Sequence, residues 1–381
     1  MVKMNKFGVL LILLLTVLLA NPVSAQILVR QPDGSYVQLN YSNVNTANIY
    51  VSGSRLSLDD IFTGVSTVKV KDTIYVNLDI WHVKGEHIEF QTTTTPTDYA
   101  QYKIKISGTT WEIYNSTGAL EALGTITDFW SKVSTTGSDI RVFDQNGNLM
   151  YFWIEEFDYT NQTAIIWVRL GAGSTRLNIA YGNLHAAQSA YCSITQSFEF
   201  ADDFNDNSLS SDWTQDSGTW SEVNQELEVT QGAAYAYIIS TNYSDADYLV
   251  QVRLKATSAG RAGILVRYEN SDYHYFAFCY YGADHIDVWR KWGDYYYLIT
   301  EAGKQLNTST FYKLTVIISS NWTKVYVDND LLINITDDHL TDVPSGKVGL
   351  AAFNGTFAFD DFIVAKVVDP ADFGTPQLVS R

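Results

Sequence analysis

The sequence predicts an all-β protein in three parts: a small N-terminal β-domain over 26–95, a middle β-rich domain over 97–184 and a C-terminal β-sandwich over 198–367. Three observations carry this. Short runs such as SYVQLNYS, YLVQVRLKA and TKVYVDNDLLI alternate apolar with polar residues, and a period of two puts alternate side chains on opposite faces of a strand. These runs end in Gly, Asn or Asp, the residues that turn a chain back on itself. Charged residues make up only 18%, below the roughly 25% of ordinary soluble domains, and Tyr, Ser and Thr take their place, as in exported β-proteins.

The first 25 residues stand apart. Lys3 and Lys6 precede an apolar run of 14 residues, FGVLLILLLTVLLA, and small residues end at Ala25. This is the plan of a secretory signal cut after Ala25. The run is shorter than the ~20 residues of a spanning helix, and no later segment is apolar enough to cross a bilayer. The expected location is therefore secreted, on a cell surface or on a particle surface. The net charge of −17 leaves no basic stripe to displace counterions from phosphates, which excludes nucleic acid as a partner. Export also permits a disulfide between Cys192 and Cys279; two separately buried thiols are the other arrangement.

Over 26–95 the runs ANIYVSG, STVKVKD and TIYVNLDIWHV read as hairpins. His82, Glu86, His87 and Glu89 cluster in HVKGEHIE, but across a Gly turn and without metal-ligand spacing, so a solvated hairpin is expected there. The polar run from Gln91 to Asp98, broken by Pro96, reads as a linker. STGALEALGTITDFW (116–130) is the one helical candidate. Trp130, Trp153 and Trp167 fall in apolar alternation and are expected in the core, while QNGN (145–148) is a hairpin turn. The order FW, GSDIRV, QNGN, WV and YGN resembles a domain family of unknown function found in surface proteins, over roughly 97–184. From Phe198 follow DDFND, YLVQVRLKA, AGILVRY, HIDVWRK, SGKVGLAAF and FAFDDFIVA. That order resembles the concanavalin A-like lectin and glucanase superfamily, in its laminin-G-like jelly-roll branch. The short segment 368–381 is left as a tail.

Two constellations point to function. FEFADDF (198–204) and FAFDDF (357–362) are echoes, and a jelly roll places its first and last strands side by side. Asp202, Asp203, Asp360 and Asp361 then leave the sheet together, with no Lys or Arg near them in sequence. Such crowded hard oxygens suit Ca²⁺, and the resemblance implies structural calcium near this seam; solvated, turn-capping aspartates are the plain reading. The second constellation takes Ile264, Val266 and Tyr268, with Phe276 and Phe278, and with Ile286 and Val288, as core. Arg267, Tyr275, Tyr281, Asp287 and Trp289 then form an outward platform. Rings stack on sugar C–H faces while Asp and Arg bond hydroxyls, so a glycan or glycoprotein surface is the expected partner. If a loop or the middle domain covers this face, it is a second core.

No E-x-D-x-x-E run of the glucanase branch is present; Asp284 and Asp287 fall on opposite faces of a strand, and Glu155–Asp158 stands where the middle domain expects a turn. A hydrolase with two facing carboxyls is therefore disfavoured. Eight N-x-S/T sequons suit a glycoprotein. Three classes of function remain. Recognition or adhesion without catalysis leads; a structural envelope or virion component and a carbohydrate-active enzyme or accessory module follow.

Overall fold

The computed structural model describes residues 98–182, 186–336 and 338–367, with additional strands at Leu28–Arg30, Tyr36–Gln38, Asn48–Val51, Ser54–Ser57, Thr67–Val70, Ile74–Asn77, Glu86–Gln91 and Gln377–Ser380. The leader, His82 and the stretch 92–97 of the expected linker lie outside the described residues. The protein is all-β, as its alternation predicts. In the N-terminal part, six strands pair as three antiparallel hairpins.

The middle domain packs two sheets. One runs, in spatial order, Leu120–Thr125, Thr110–Tyr114, Ala100–Ser107, Thr163–Leu170 and Phe152–Asp158. The other runs Arg141–Phe143, Arg176–Ala180, Glu86–Gln91 and Gln377–Ser380. Glu86–Gln91, ahead of the expected linker, and Gln377–Ser380, inside the expected tail, thus both belong to this sheet. Between the sheets Phe129 meets Trp111 and Tyr181 edge-on, each at 4.9 Å between ring centres.

The expected helix over 116–130 is a strand, and only Phe129–Lys132 turns helically. Gly118 at φ +74° closes a turn in which the Asn115 carboxamide oxygen accepts from Thr117 N and Ala119 N. The chain then returns alongside Thr110–Tyr114. That local Asx turn and the ladder beyond it outweigh the Ala/Leu helix propensity. The turn expected at Glu155–Asp158 is likewise part of a strand, bulged between Ile154 and Glu156.

The C-terminal half is a sandwich of two sheets stitched by two long bent strands, Glu226–Asp245 and Gly346–Lys366. The early part of Gly346–Lys366 pairs with Gly260–Asn270, followed outward by Tyr273–Tyr281, His285–Trp292 and Tyr295–Gly303. Its later part pairs with Tyr248–Ala256, followed by Tyr312–Ser319, Trp322–Val327 and Asp330–Thr336. Buried Val250, Val252, Ile264, Val266, Val316, Ile318 and Val364 fill the space between the sheets.

Each sheet also has an outer face. The second sheet turns Leu249, Ile317, Ile363 and Ala365 onto the middle domain's Ile165 and Trp167, with Ile194 and Phe198 of the connecting segment. Trp153 packs there too, so Trp153 and Trp167 seal the joint between domains while Trp130 lies in the middle domain's own core. Glu155 accepts hydrogen bonds across this joint from Lys313 Nζ (2.6 Å) and Gln251 Nε2 (3.2 Å), and within its own domain from Trp167 Nε1 (2.6 Å). Among the described residues, the middle domain contributes none to the cluster on the first sheet's outer face, and the candidate site is built on it.

Candidate functional site

The aspartate echo is a true seam with a different filling. Phe200 pairs with Val364 and Asp202 with Phe362, so the first and last strands are neighbours. The four aspartates do not form one ligand set. Arg253 Nη1 donates to Asp360 Oδ2 at 2.9 Å and to Asp361 Oδ2 at 3.0 Å. Asp202 is engaged by Phe204 N (2.9 Å) and Trp213 Nε1 (2.8 Å), and Asp203 accepts from Asn205 N at 3.4 Å. The sequence expectation failed because Arg253 lies 107 residues from Asp360 and meets it only across the Tyr248–Ala256 ladder. Burial and the neighbouring Asp361 push the Asp360 carboxyl up to about 6 despite Arg253. Glu222, also buried, sits near Asp202 and Asp206, and burial with those charges raises its carboxyl as well.

The cysteines do not pair. Cys279 lies in the sandwich core, where burial drives its thiol far up, and Cys192 packs against the middle domain.

The proposed platform is part right in place and part inverted. Asp287 and Trp289 do face outward, with Ile286 and Val288 turned into the core. Tyr275 and Tyr281 instead point into the sandwich, bonding His339 O and Leu254 O, while Phe276 and Phe278 lie on the outer face. The Tyr273–Tyr281 strand is apolar on both faces, so alternation gave no sign of which was inward. Arg267 sits at a bulge with φ +47° and is 1% exposed. Its guanidinium donates to Ala246 O (3.0 Å), Ser320 O (2.9 Å) and Leu340 O, tying three loops together. The same bulge swings Tyr268 to the outer side beside Leu265.

What stands on the outer face is an aromatic row. Phe276 and Phe278 stack at 4.8 Å and form its floor. Tyr235 lies over them at 5.6 and 6.0 Å, and against Tyr296 (4.9 Å) and Phe353 (4.7 Å). The row runs on to Trp289, whose Nε1 has no hydrogen-bond partner among the described residues. Arg261 lies 3.9 Å over Tyr280 and 5.6 Å from Trp289, and donates Nε–H to Asp287 Oδ2 at 3.1 Å. Tyr235, Trp289, Phe353 and Arg261 are half-buried and Tyr296 is exposed, which leaves ring surface and the Arg261 guanidinium open to a ligand. Tyr235, Tyr296, Phe353 and Arg261 escaped the sequence reading. The alternation in AAYAYI and the tyrosine run YYY were the available signals, and only the bent Glu226–Asp245 strand brings them together. A separate cleft of about 570 Å³ at the domain joint, lined by Trp153, Cys192 and Asp203 among others, holds one carboxylate, not the facing pair that glycoside hydrolysis requires.

Residues 199–365 match the family model described as a 3-keto-alpha-glucoside-1,2-lyase-like domain, consistent with a concanavalin A-like sandwich. Residues 136–223 match a domain of unknown function, DUF2341, which agrees with the resemblance of the middle domain and extends into the start of the sandwich. No curated protein matches the chain. Among solved structures, the carbohydrate-binding module CBM66 from Bacillus subtilis is 18% identical, with 41% of this chain and 96% of that one covered and a TM-score of 0.38. A protein of unknown function with a galectin-like fold, also from Bacillus subtilis, is 13% identical over 45% and 97% of the two chains, with a TM-score of 0.38. The laminarinase from Rhodothermus marinus is 12% identical over 45% and 98%, with a TM-score of 0.36.

Proposed function

We propose that this chain is an exported, non-enzymatic glycan-recognition protein that holds sugar on the aromatic outer face of its sandwich. The observation that carries the reading is the row Tyr235–Tyr296–Trp289 beside the half-buried Arg261 that Asp287 holds in place. Stacked rings offer flat apolar area for sugar C–H faces, and the half-buried Arg261 guanidinium donates to hydroxyls. The family that 199–365 resembles is described by a glucoside as well, which supports a sugar ligand. On a glycan array, Trp289→Ala is expected to weaken the strongest hit by about tenfold, the loss of roughly 1.4 kcal/mol. Its melting temperature should stay within a few degrees. A large loss of stability with unchanged binding would make Trp289 a packing residue and end this reading.

That same family match favours a second reading, a lyase acting on 3-keto glucosides. Release of the aglycone from such a substrate by the wild-type chain is its check.

A structural Ca²⁺ at the seam of Asp202, Asp203, Asp360 and Asp361 stays part of the proposal, with the Arg253 bonds to the Asp360–Asp361 pair as the competing arrangement. Adding CaCl₂ at a hundredfold excess over Kd to the metal-free chain should stabilise it by about 2.7 kcal/mol, and Asp203→Asn should remove the effect. An unfolding curve indifferent to CaCl₂ excludes the ion.

A further inference from the structure

Beyond the aromatic row, at the end of the same face, three side chains from adjacent strands converge. His285 and Asp287 lie on His285–Trp292, and Glu301 lies on Tyr295–Gly303, where it pairs with Asp287. Their ligand atoms all fall within 4.8 Å of one another. His285 Nε2 is 2.8 Å from Asp287 Oδ1 and 3.9 Å from Glu301 Oε2.

The hydrogen bonding around them is incomplete in one specific way. His285 Nδ1 lies 3.0 Å from the carbonyl of Ala283, and a carbonyl only accepts, so Nδ1 carries the proton. In the neutral ring Nε2 is then a bare lone pair, aimed at a carboxylate oxygen that has no hydrogen-bond donor among the described residues. Asp287 is 1% exposed, so bulk solvent does not reach it. Two lone pairs at 2.8 Å repel unless something positive lies between them. The other carboxylate oxygen is already held by Arg261 Nε, which fixes the orientation of the group. A histidine that donates its far nitrogen to a backbone carbonyl, beside a carboxylate pinned from behind, is the supporting arrangement of metal ligands.

We propose that His285 Nε2, Asp287 Oδ1 and Glu301 Oε2 form a Zn²⁺-type divalent cation site at the end of the aromatic face. One imidazole with two carboxylates suits a borderline ion at roughly 2.0–2.2 Å from each donor. Ca²⁺ wants six to eight oxygens and is not the expected ion. The Glu301 side chain is 58% exposed, so its rotation brings the 3.9 Å separation to ligand spacing, while the 2.8 Å His285–Asp287 contact opens to admit the ion. Three protein ligands leave one tetrahedral position for water or another oxygen donor. The ion's binding does not depend on glycan recognition and is measured without sugar.

The test is calorimetric titration of ZnCl₂ into the untagged, chelator-treated full chain near neutral pH, with CaCl₂ as the comparison ion. The expected result is saturable binding of one Zn²⁺ per chain that excess CaCl₂ does not displace. His285→Ala should abolish it. Glu301→Gln, on an exposed side chain that the fold does not need, should weaken it more than about tenfold, beyond what loss of a supporting residue costs. Two results overturn the proposal: no saturable Zn²⁺ binding by the wild-type chain, or binding that survives Glu301→Gln and His285→Ala undiminished. The first leaves a protonated His285–Asp287 ion pair; the second puts the ion elsewhere. If His285→Ala does not fold, Glu301→Gln alone decides.

Discussion

Glu155→Ala is expected to destabilise the two-domain unit by about 3 to 5 kcal/mol, the usual cost of stranding a buried charge. The Glu155 side chain is 2% exposed and that of Lys313 is 7% exposed. Burial alone would drag the Lys313 ammonium down, but Glu155 and then Glu156 outweigh it and hold it above the ordinary lysine range. Glu156 is on the rim with a 57% exposed side chain, so its pull is screened. Lys103 adds to the strain. It lies over the Trp167 ring at 5.8 Å, and burial pushes its ammonium down to about 8 even with Glu155 nearby. Removing Glu155 leaves two lysines facing each other and orphans the Trp167 N–H. Urea unfolding followed by tryptophan fluorescence reads this directly, because Trp153, Trp167 and Trp322 all line the joint. Glu155→Gln keeps an acceptor for Trp167 and should cost less than alanine. A midpoint unchanged in both variants would mean that the joint is wet and the domains are merely tethered.

Asp360→Asn should act in the opposite direction and stabilise the sandwich at neutral pH. The folded Asp360 titrates near 6, against an ordinary 3.8. The folded state therefore binds this proton more tightly than the unfolded chain does. Its contribution is most favourable below the unfolded value and is lost as pH rises through 6. At 1.36 kcal/mol per unit, a shift of this size corresponds to about 2 to 3 kcal/mol, lessened in the variant because Asn binds Arg253 more weakly. The side chain is 17% exposed, so solvent screening is slight. Asp361, Asp202 and Glu222 are raised too and give slopes of the same sign, so the variant flattens the pH 4–6 profile without abolishing its slope. A wild-type stability that climbs with pH across that window would reverse the argument.

These two effects show where a sequence is readable. Strand existence follows from alternation, and Ile286 and Val288 face the core as expected because Asp287 between them marks the other side. The neighbouring Tyr273–Tyr281 strand turns the opposite faces from those expected, since tyrosine and phenylalanine alternate there with no polar side to betray the register. Arg267 was lost to a single bulge, which no period of two anticipates. The seam was legible as a pairing of first and last strands but not in its charge balance, because Arg253 reaches it through the ladder and not through the chain. The aromatic row needed two strands more than 50 residues apart, carrying Tyr235 and Tyr296, to meet over one floor.

The pairing of Gln377–Ser380 with Glu86–Gln91 has a mechanical consequence. Ser380 lies opposite Glu86 and Gln377 opposite Glu89, so the chain departs from this body beside the point where it arrives. Tension applied between those two positions pulls on facing ends of one antiparallel ladder and peels it one residue pair at a time. Peeling breaks hydrogen bonds in series, so it yields at low force compared with sliding two strands lengthwise. Until that short ladder has opened, the sandwich between them carries none of the load. A bead pulled on residue 380 with residue 86 anchored should first record a small extension from the terminal ladder. Only later should it record the unravelling of the sheet that bears the aromatic row.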